Sequence, residues 1–305
     1  MASSRITFVG EGMVELRQAE SDQYRLGYGG DTLNSAIHMA RCGHDVAFAS
    51  ALGRDAFSER LRSAWEQEGL DCSTILTDPD RSAGLYAISL DAAGERSFAY
   101  WRSDSAARQL FALPGSGDLI ERVERCEMLA FSLISLAVLP DDGKEALLSL
   151  AGRMKECSGR VAFDANYRPN LWENAQTAAR WRDRAIAMAT HGLPTFEDEK
   201  MIGGSIDAQS VAAHWKGLGC TEVVVKLGSE GCMLPDGELL APAAILRPVD
   251  TSGAGDAFNA GYLSARLKGA DPYEAARRGN ALAAWVIMRP GAIPPSDSAA
   301  PYSAA

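Results

Sequence analysis

Short apolar runs alternate along this chain with longer segments in which apolar residues recur every three or four positions. The runs are typical of strands buried on both faces of a parallel sheet, and the longer segments have the spacing of amphipathic helices. The pattern predicts strands at residues 6–10, 46–51, 128–132, 161–164 and 223–227, and helices at residues 32–42, 56–68, 142–157, 254–268 and 272–288. This alternation indicates an α/β fold with a doubly wound, mainly parallel sheet flanked by helices.

Another pattern, strict alternation between apolar and polar residues, interrupts this rhythm. It occurs in four segments, at residues 13–17, 24–28, 84–90 and 95–102. The turn-forming residues 91–94 join the last two segments, which predicts a β-hairpin. We expect the four strands to build a small antiparallel β lid, inserted at about 12–29 and 84–103 into a single domain that spans residues 1–305.

The composition is that of a packed globular protein with an acidic surface. Of the 305 residues, 47% are apolar, and 30 basic against 40 acidic side chains give a net charge of −10. No basic cluster favours a nucleic-acid partner, and no apolar run is long enough to span a membrane. Six scattered cysteines and the lack of a signal segment favour reduced thiols in a cytoplasmic protein. The tail after Ile293 is rich in Pro, Ser and Ala, and we expect it to be loosely held.

The main chemical motif is Asp-Thr-Ser-Gly-Ala-Gly-Asp at residues 250–256, which opens a predicted helix. Gly253, Ala254 and Gly255 leave backbone N–H groups unhindered at the positive end of the helix dipole, where an anion can bind. Asp256 would repel a phosphate there, unless it takes a proton from the hydroxyl that attacks the phosphate. The alternative is an ordinary helix start, with small residues for packing and an acid for the dipole.

A second motif, Gly-Gly-Asp-Thr-Leu-Asn, occupies residues 29–34. Paired glycines let the backbone approach a ligand closely, and Asn34 offers directional hydrogen bonds suited to sugar hydroxyls. A helix start capped by Asp31 or Thr32 explains the same residues without a ligand. The chain has neither GxxxxGK[ST] nor GxGxxG after its first strand, which argues against P-loop NTPases and nicotinamide oxidoreductases.

Taken together, the two motifs resemble the paired signature of the ribokinase-like (PfkB-type) carbohydrate kinases, and the resemblance extends over nearly the whole chain. It implies a ribokinase-like fold and an ATP-dependent sugar kinase in which Asp256 is the general base. The N–H groups of Gly253, Ala254 and Gly255 would bind the moving phosphoryl group. The residues that match the ATP site of the family are Lys226, Gly228, Gly231, Gly253, Gly255 and Asn280.

Magnesium is expected with ATP, but the resemblance does not assign its protein ligand. The family often carries Asn-x-x-Glu, whereas this chain reads Thr-Phe-Glu-Asp-Glu at residues 195–199. Water and the nucleotide phosphates should supply most ligands. Asp250 and Ser252 lie where some relatives hold a monovalent cation, so K⁺ is a further candidate. The candidates for the acid that organises Mg²⁺ are Glu197, Asp198 and Glu199.

Two arginines point to an acidic sugar as the substrate. Tyr100 and Arg102 face the same side of a lid strand, and Arg168 follows the strand at 161–164, at the sheet edge where ligands bind. A pair of arginines suits a carboxylate better than a neutral sugar. Surface or structural ion pairs would explain the same arginines without a ligand.

Three segments, at residues 29–34, 94–102 and 164–172, resemble the branch of the family that phosphorylates 2-keto-3-deoxygluconate. This resemblance implies transfer of the γ-phosphoryl group of ATP to the C6 hydroxyl, which gives 2-keto-3-deoxy-6-phosphogluconate. The alternatives are a PfkB-type kinase of a neutral sugar such as fructose, and a non-catalytic sugar-binding relative. A homo-oligomer, dimer or higher, is also expected. The implied substrate-binding residues are Gly30, Asn34, Tyr86, Tyr100, Arg102, Arg168 and Asp256.

Overall fold

The computed structural model describes residues 6–19, 23–90, 96–204 and 206–302. Its strands are β1 (Ile6–Val9), β2 (Met13–Gln18), β3 (Tyr24–Gly29), β4 (Val46–Leu52), β5 (Leu70–Asp71), β6 (Ile75–Thr77), β7 (Leu85–Leu90), β8 (Arg96–Trp101), β9 (Met128–Ser132), β10 (Arg160–Asp164), β11 (His191–Gly192), β12 (Glu222–Val223), β13 (Val225–Lys226), β14 (Cys232–Met233) and β15 (Leu239–Leu240). Its α-helices are α1 (Asp31–Arg41), α2 (Ala56–Gln67), α3 (Ser116–Glu124), α4 (Leu133–Val138), α5 (Asp141–Glu156), α6 (Ala175–Met188), α7 (Phe196–Gly203), α8 (Ala208–Gly217), α9 (Ala254–Leu267) and α10 (Pro272–Ile287). Short 3₁₀ turns lie at Cys72–Thr74, Ala106–Gln109, Pro169–Leu171 and Gly228–Glu230.

The main sheet has the strand order β12-β11-β10-β9-β1-β4-β5, with β6 also paired to β4. Its strand pairs are parallel, which confirms the predicted fold class. After the central strand β1, the chain adds β4 and β5 on one side of the sheet. The later strands β9, β10, β11 and β12 are added in order on the other side. The strand order therefore reverses between β1 and β9, where open α/β sheets form a ligand crevice at their carboxyl ends.

The five predicted helices are confirmed as α1, α2, α5, α9 and α10, with ends that differ by one residue at most. Local chemistry explains this accuracy. Asp55 caps α2 by accepting the N–H groups of Phe57 and Ser58, and Gly43 follows α1 with a positive φ of 85°. Helix α6 was not among the predictions, because its buried stripe contains Arg182 and two alanines instead of a run of large apolar residues.

The strand predicted at 223–227 is divided in the structure. Its first part, β12, pairs in parallel with β11 of the main sheet, whereas β13 pairs antiparallel with β14. The backbone N–H of Val224 still donates to Gly192 O at 2.9 Å, so the division is a change of partner within an extended segment. Val223, Val224 and Val225 are fully buried. Because the three residues are equally apolar and equally buried, the sequence pattern cannot show where the strand changes its partner.

A second sheet, called the small sheet below, contains the four predicted lid strands in the order β3-β2-β7-β8. β2 pairs antiparallel with β3, and β7 pairs antiparallel with β8, as the alternating pattern predicts. The two hairpins join through β2 and β7, which run parallel. The predicted turn at 91–94 lies outside the described residues.

Buried side chains form two apolar clusters, one on each face of the main sheet. Trp65 lies in one cluster and Trp215 in the other, both fully buried. The tail is held more firmly than expected, since Tyr302 is only 7% exposed and stacks against His38. Of the six cysteines, Cys157 alone is exposed. Within the described residues, no helix has the length and apolar character needed to cross a membrane.

Candidate active site

A cleft opens at the carboxyl ends of β1, β9 and β10, at the point where the strand order reverses; it is called the cavity below. Helices α1 and α9 close its other side. Three acids from separate parts of the chain, Asp31, Asp164 and Asp256, face this one space. Its other polar lining residues are Thr32, Ser35, Ser132 and Asn259.

The start of α9 forms one wall of the cavity. Gly253 has a φ of 71°, and a Cβ atom there would lie 2.5 Å from Ala292 Cβ, so this position requires glycine. The N–H of Ala254 donates to Thr251 O at 3.3 Å, which engages one of the three predicted anion-binding groups within the turn. Gly255 and Asp256 lie in the first helical turn, where N–H groups have no intrahelical acceptor. Their position suits an anion.

Asp256 is 9% exposed and accepts a 2.7 Å hydrogen bond from Asn34 Nδ2. Burial, followed by the negative charge of Asp31, raises the pKa of Asp256 to about 7. The Asn34 hydrogen bond acts in the opposite direction, and the charge of Asp164 raises the pKa further. A carboxylate with a pKa near neutrality can accept a proton and release it again at physiological pH.

Neighbouring groups in the site hold Asn34 and Asp31. The N–H of Gly30 donates to Asn34 Oδ1 at 3.4 Å, and Asn166 Nδ2 donates to Asp31 Oδ2 at 3.0 Å. A Cβ atom on Gly30 would lie 2.1 Å from Glu11 O. The glycine therefore serves a close approach between two protein backbones, which sequence alone does not distinguish from approach to a ligand.

Lys226, predicted to contact ATP, lies in a buried triad with Asp164 and Asn259. Its Nζ is 2.9 Å from Asp164 Oδ2 and 3.0 Å from Asn259 Oδ1, and Asn259 Nδ2 donates to Asp164 at 2.6 Å. A Cβ on Gly255 would lie 3.6 Å from Lys226 Nζ, so the triad borders the start of α9. Asp164 and Asn259 were not among the predicted site residues. Two signals point to them: an acid at the end of a buried strand, and a helical spacing of three residues from Asp256.

The other predicted ATP-site residues differ in their surroundings. Gly231 has a φ of 93°, and a Cβ there would meet Leu240 O at 2.1 Å, so the β13–β14 turn accounts for this glycine. Around Gly228, no heavy atom of the described chain lies within 4 Å of an added Cβ. Asn280 Nδ2 is buried and has no oxygen or nitrogen acceptor among the described residues, while its side chain lies within reach of the Cys232 thiol. Gly228 and Asn280 therefore keep room and bonding capacity for a ligand.

The three candidate acids for magnesium point in different directions. Glu199 is fully buried and accepts hydrogen bonds from Arg182 Nη1 at 2.8 Å and Trp215 Nε1 at 3.1 Å, so its carboxylate belongs to the core. The Glu197 side chain is 70% exposed and lies 4.0 Å from Lys200.

Asp198 is the candidate whose carboxylate feels the charge of a cavity acid, Asp164. Burial raises its pKa to about 6, against the lowering charge of Arg168 and with a further rise from Asp164. No group of three or more metal-ligating side chains occurs among the described residues. Because Mg²⁺ usually takes only one or two protein carboxylates beside phosphates and water, Asp198 fits such an ion.

The predicted tyrosines and Arg102 form one face of the small sheet. Tyr86 and Tyr100 are cross-strand partners whose rings stack with centroids 5.8 Å apart, and the Arg102 guanidinium lies 5.9 Å from the Tyr100 ring. Tyr86 OH donates to Glu15 Oε2 at 2.5 Å. The hydroxyl of Tyr86 is therefore already engaged within the small sheet.

Both predicted carboxylate-binding arginines have acidic neighbours. Arg102 Nη2 lies 2.5 Å from Glu11 Oε2, and Glu11 is only 2% exposed. Arg102 Nε is buried without a hydrogen-bond partner in the described chain. Arg168 is 52% exposed and lies 3.6 Å from Asp198. Burial raises the pKa of Glu11, while the charge of Arg102 lowers it.

The residues proposed for a monovalent cation already have protein partners. Asp250 Oδ2 accepts the N–H of Gly291 at 2.8 Å and lies 3.4 Å from Arg17 Nη1. Asp250 Oδ1 accepts the N–H of Ser252 at 2.9 Å. A guanidinium group therefore stands where the sequence resemblance led us to expect K⁺, and these residues do not fit that ion.

A cavity at the reversal point of a doubly wound sheet, an acid of raised pKa at a helix start and a β sheet beside them define a class of protein: the kinases that phosphorylate small hydroxyl compounds. The model of the "pfkB family carbohydrate kinase" matches residues 4–299. The chain belongs to the pfkB family of carbohydrate kinases.

Individual relatives agree with the family. The 2-dehydro-3-deoxygluconokinase of Dickeya dadantii (strain 3937) is 37% identical, with 98% of this chain and 99% of the relative covered. The aminoimidazole riboside kinase of Salmonella typhimurium is 30% identical, with 86% and 81% covered. The crystal structure of a PfkB protein from Polaromonas sp. JS666 superposes with a TM-score of 0.84 at 26% identity, covering 95% and 97% of the two chains. Two of these three relatives are thus named as kinases, and the first is named as a 2-dehydro-3-deoxygluconokinase.

Proposed function

We propose that this chain transfers the γ-phosphoryl group of ATP to the C6 hydroxyl of 2-keto-3-deoxygluconate, giving ADP and 2-keto-3-deoxy-6-phosphogluconate. The observation that carries the proposal is Asp256, a buried acid with a pKa of about 7 at the start of α9. Close relatives that share nearly the full length of the chain are named for this substrate.

The reaction assigns Asp256 the role of general base. Its carboxylate accepts the proton of the C6 hydroxyl as the oxygen bonds to the γ-phosphorus, and the bond to the β-phosphate oxygen breaks to release ADP. Asn34 holds the carboxylate through its 2.7 Å hydrogen bond. The N–H groups of Gly255 and Asp256, together with the α9 dipole, stabilise the charge that develops on the phosphoryl oxygens.

The nucleotide would lie between the start of α9 and the β13–β14 turn. Gly228 has open space for close approach of the backbone to ATP, and Asn280 Nδ2 offers a donor. Mg²⁺ would be held by the phosphates and by Asp198, and when bound it would neutralise phosphate charge. The buried triad places the ammonium of Lys226 beside the start of α9, where it adds positive potential without a direct phosphate contact.

The substrate carboxylate would meet Arg168 and the edge of Arg102 that Glu11 does not use. Arg168 is half exposed, and Arg102 keeps a buried, unpaired Nε. Tyr86 and Tyr100 would cover the sugar from the small sheet, which acts as the lid of a single kinase domain. Homo-oligomer formation and a cytoplasmic location stay predictions.

A kinase of a neutral sugar is the second candidate, and the Glu11–Arg102 ion pair favours it. The pair places a buried negative charge beside one of the two arginines, which weakens the attraction of that arginine for a second carboxylate. A fructokinase of Vibrio alginolyticus is also a relative, at 26% identity over 88% of this chain.

The first test is a coupled ADP-release assay with ATP and Mg²⁺ that compares 2-keto-3-deoxygluconate, 2-keto-3-deoxygalactonate, fructose, ribose and adenosine. We expect strong preference for the keto-deoxy acids. Arg168→Ala should raise KM for the acids about 10- to 100-fold, because the substrate carboxylate would lose one charged hydrogen-bonding partner. The same substitution should change KM for fructose much less. Arg125→Ala is the matched control, since Arg125 is 72% exposed and pairs with Glu121 on the surface of α3.

Two results would contradict the proposal. Turnover of a neutral sugar alone would keep Asp256 as the base and return Arg102 and Arg168 to structural roles. Absence of turnover with every compound in the panel would favour a non-catalytic sugar-binding relative.

A further inference from the structure

Asp250 is the first residue of the loop at 250–256, and its side chain is fully buried. Its oxygens accept the N–H groups of Gly291 and Ser252, and its own backbone N–H donates to Ile287 O at 3.1 Å. Asp250 therefore ties the loop to the segment that follows α10. A buried carboxylate of this kind also needs a compensating positive charge.

That segment determines how α9 begins. Ala292, the residue after Gly291, packs against Gly253 so closely that a Cβ on Gly253 would lie 2.5 Å from it. Gly253 in turn sets the direction of the first turn of α9, which carries Asp256. A shift of Asp250 would consequently move the anion-binding N–H groups and the base together.

The positive charge near Asp250 comes from the small sheet. Arg17 on β2 reaches Asp250 Oδ2 with Nη1 at 3.4 Å, and Glu15 on the same strand holds Arg17 Nε at 3.2 Å. Glu15 also accepts the hydroxyl proton of Tyr86 at 2.5 Å. One continuous chain of polar contacts thus runs from the tyrosine of the small sheet through Arg17 to the start of α9.

We propose that Arg17 is a positioning residue for phosphoryl transfer: its guanidinium supplies the charge that Asp250 requires, fixes the 250–256 loop from the small sheet, and makes the kinase independent of monovalent cations. The guanidinium is a positive charge 3.4 Å from Asp250 that belongs to the chain itself, so the carboxylate does not depend on a cation that can dissociate. The proposal rests on the proposed kinase activity only for its kinetic readout.

The test compares wild-type enzyme with Arg17→Met and Arg17→Lys in KCl, NaCl and choline chloride at equal ionic strength. Wild-type kcat and the Tm of the ligand-free enzyme should be the same in all three salts. Arg17→Met should lose about 10- to 100-fold in kcat, the size of effect that misplaced catalytic groups produce, with little change in KM for the sugar. Adding KCl or low millimolar guanidinium should restore much of that kcat, and KCl should raise the Tm of this variant.

Arg25→Met is the matched control, because Arg25 is exposed and is the cross-strand partner of Arg17 on β3. It removes the same charge from the same sheet and should keep wild-type kcat in every salt. Arg17→Lys should retain most of the activity, which keeps the idea testable if Arg17→Met does not fold. The Tm is measured without substrate, so it does not depend on the proposed activity. An inactive wild-type enzyme would count against the proposed function, and the comparison of Tm between salts would then decide the present inference.

Three outcomes would overturn the inference. The first is wild-type kcat or Tm that rises strongly in KCl compared with choline chloride. The second is Arg17→Met with wild-type kcat. The third is a folded Arg17→Met enzyme whose lost activity neither KCl nor guanidinium restores, since that result would assign Arg17 a purely structural role.

Discussion

Two aspartates on opposite sides of the same cavity have contrasting surroundings. Asp164, at the end of β10, meets Lys226 Nζ at 2.9 Å, Asn259 Nδ2 at 2.6 Å and the N–H of Asn166 at 3.2 Å. Asp256, at the start of α9, is held by the single amide of Asn34 and feels the charges of two other acids. Asp164 contacts the ammonium of Lys226 directly, whereas the same lysine acts on Asp256 only as a further charge that lowers its pKa.

The difference shows how one residue type can serve two purposes in one site. A buried carboxylate that contacts a cation and several donors is held in one place and fixes the geometry around it. A buried carboxylate near other acids is destabilised when charged, so it binds a proton readily near neutral pH. We therefore expect Asp164 to give the site its rigidity and Asp256 to do its proton transfer.

The largest effect should come from Asp256→Asn. We expect kcat to fall about 10²- to 10⁴-fold, the contribution of a positioned base, while ATP affinity stays close to wild type. Isothermal titration with a non-hydrolysable ATP analogue, together with the ADP-release assay, measures both quantities. Normal turnover by this variant would exclude Asp256 as the base.

The same substitution should stabilise the protein, and the sign follows from the pKa. Folding raises the pKa of Asp256 from its ordinary 3.8 to about 7, so the folded state prefers the neutral form and loses stability as pH rises between these values. The Asn variant has no such loss. At pH 8 the Tm of the Asn variant should exceed that of wild type, by about 2–4 °C for each kcal/mol by which the substitution raises the free energy of unfolding. The difference in Tm should vanish near pH 4, where Asp256 is protonated in the folded state. A lower Tm for the variant at pH 8 would contradict this account.

Breaking the matched pair should have the next largest effect. Lys226→Met leaves Asp164 buried without its cation, which should lower the free energy of unfolding by about 3–5 kcal/mol in urea denaturation. Lys200→Met is the control, because Lys200 is 59% exposed and its pair with Glu197 should contribute at most about 0.5 kcal/mol. The double variant Asp164→Asn, Lys226→Met should recover part of the loss. Equal stabilities of the two lysine variants would remove the contrast between Asp164 and Asp256.

The smallest effects should appear in the pH dependence of kcat/KM, which tests how the neighbours of Asp256 set its pKa. Wild-type kcat/KM should rise with pH around a midpoint of about 7, because Asp256 must be deprotonated to accept a proton. Asp31→Asn removes a neighbouring negative charge and should move the midpoint to lower pH. Asn34→Ala removes the hydrogen bond to the charged form and should move it to higher pH. Shifts in the same direction would show that the two neighbours do not act on the base as assigned.

Much of the fold and the main motif could be read from local pattern. The helix predicted at 254–268 is found at Ala254–Leu267, because small residues open it and its periodic apolar positions continue for four turns. The four strands of the small sheet follow from strict alternation, since a one-residue change of register would expose an entire apolar face. Asp256 was singled out because an acid follows three small residues at a predicted helix start, and the resemblance to the carbohydrate kinases then implied its role as the base.

Where each side chain lies and which group it contacts were decided only by the tertiary structure. Glu197, Asp198 and Glu199 are adjacent in the chain, yet Glu197 is exposed to solvent, Asp198 feels the charges of Arg168 and Asp164, and Glu199 is bonded within the core. From the sequence, all three were candidates for one role. Successive side chains on a helix diverge by about 100°, and no local pattern shows which of these directions faces a ligand.

The sequence by itself determined the order of the main helices and strands, the resemblance to the carbohydrate kinases and the choice of Asp256 as the proposed base. These depend on residues close together in the chain, where spacing and backbone geometry act directly. Only the tertiary structure decided which charges meet: Arg102 with Glu11, Lys226 with Asp164, and Arg17 with Asp250. The partners in these pairs are separated by at least 62 residues, and the last pair by 233. Charge pairing across such separations depends on how the sheets and helices pack, because no local pattern records which distant side chain will be within 4 Å.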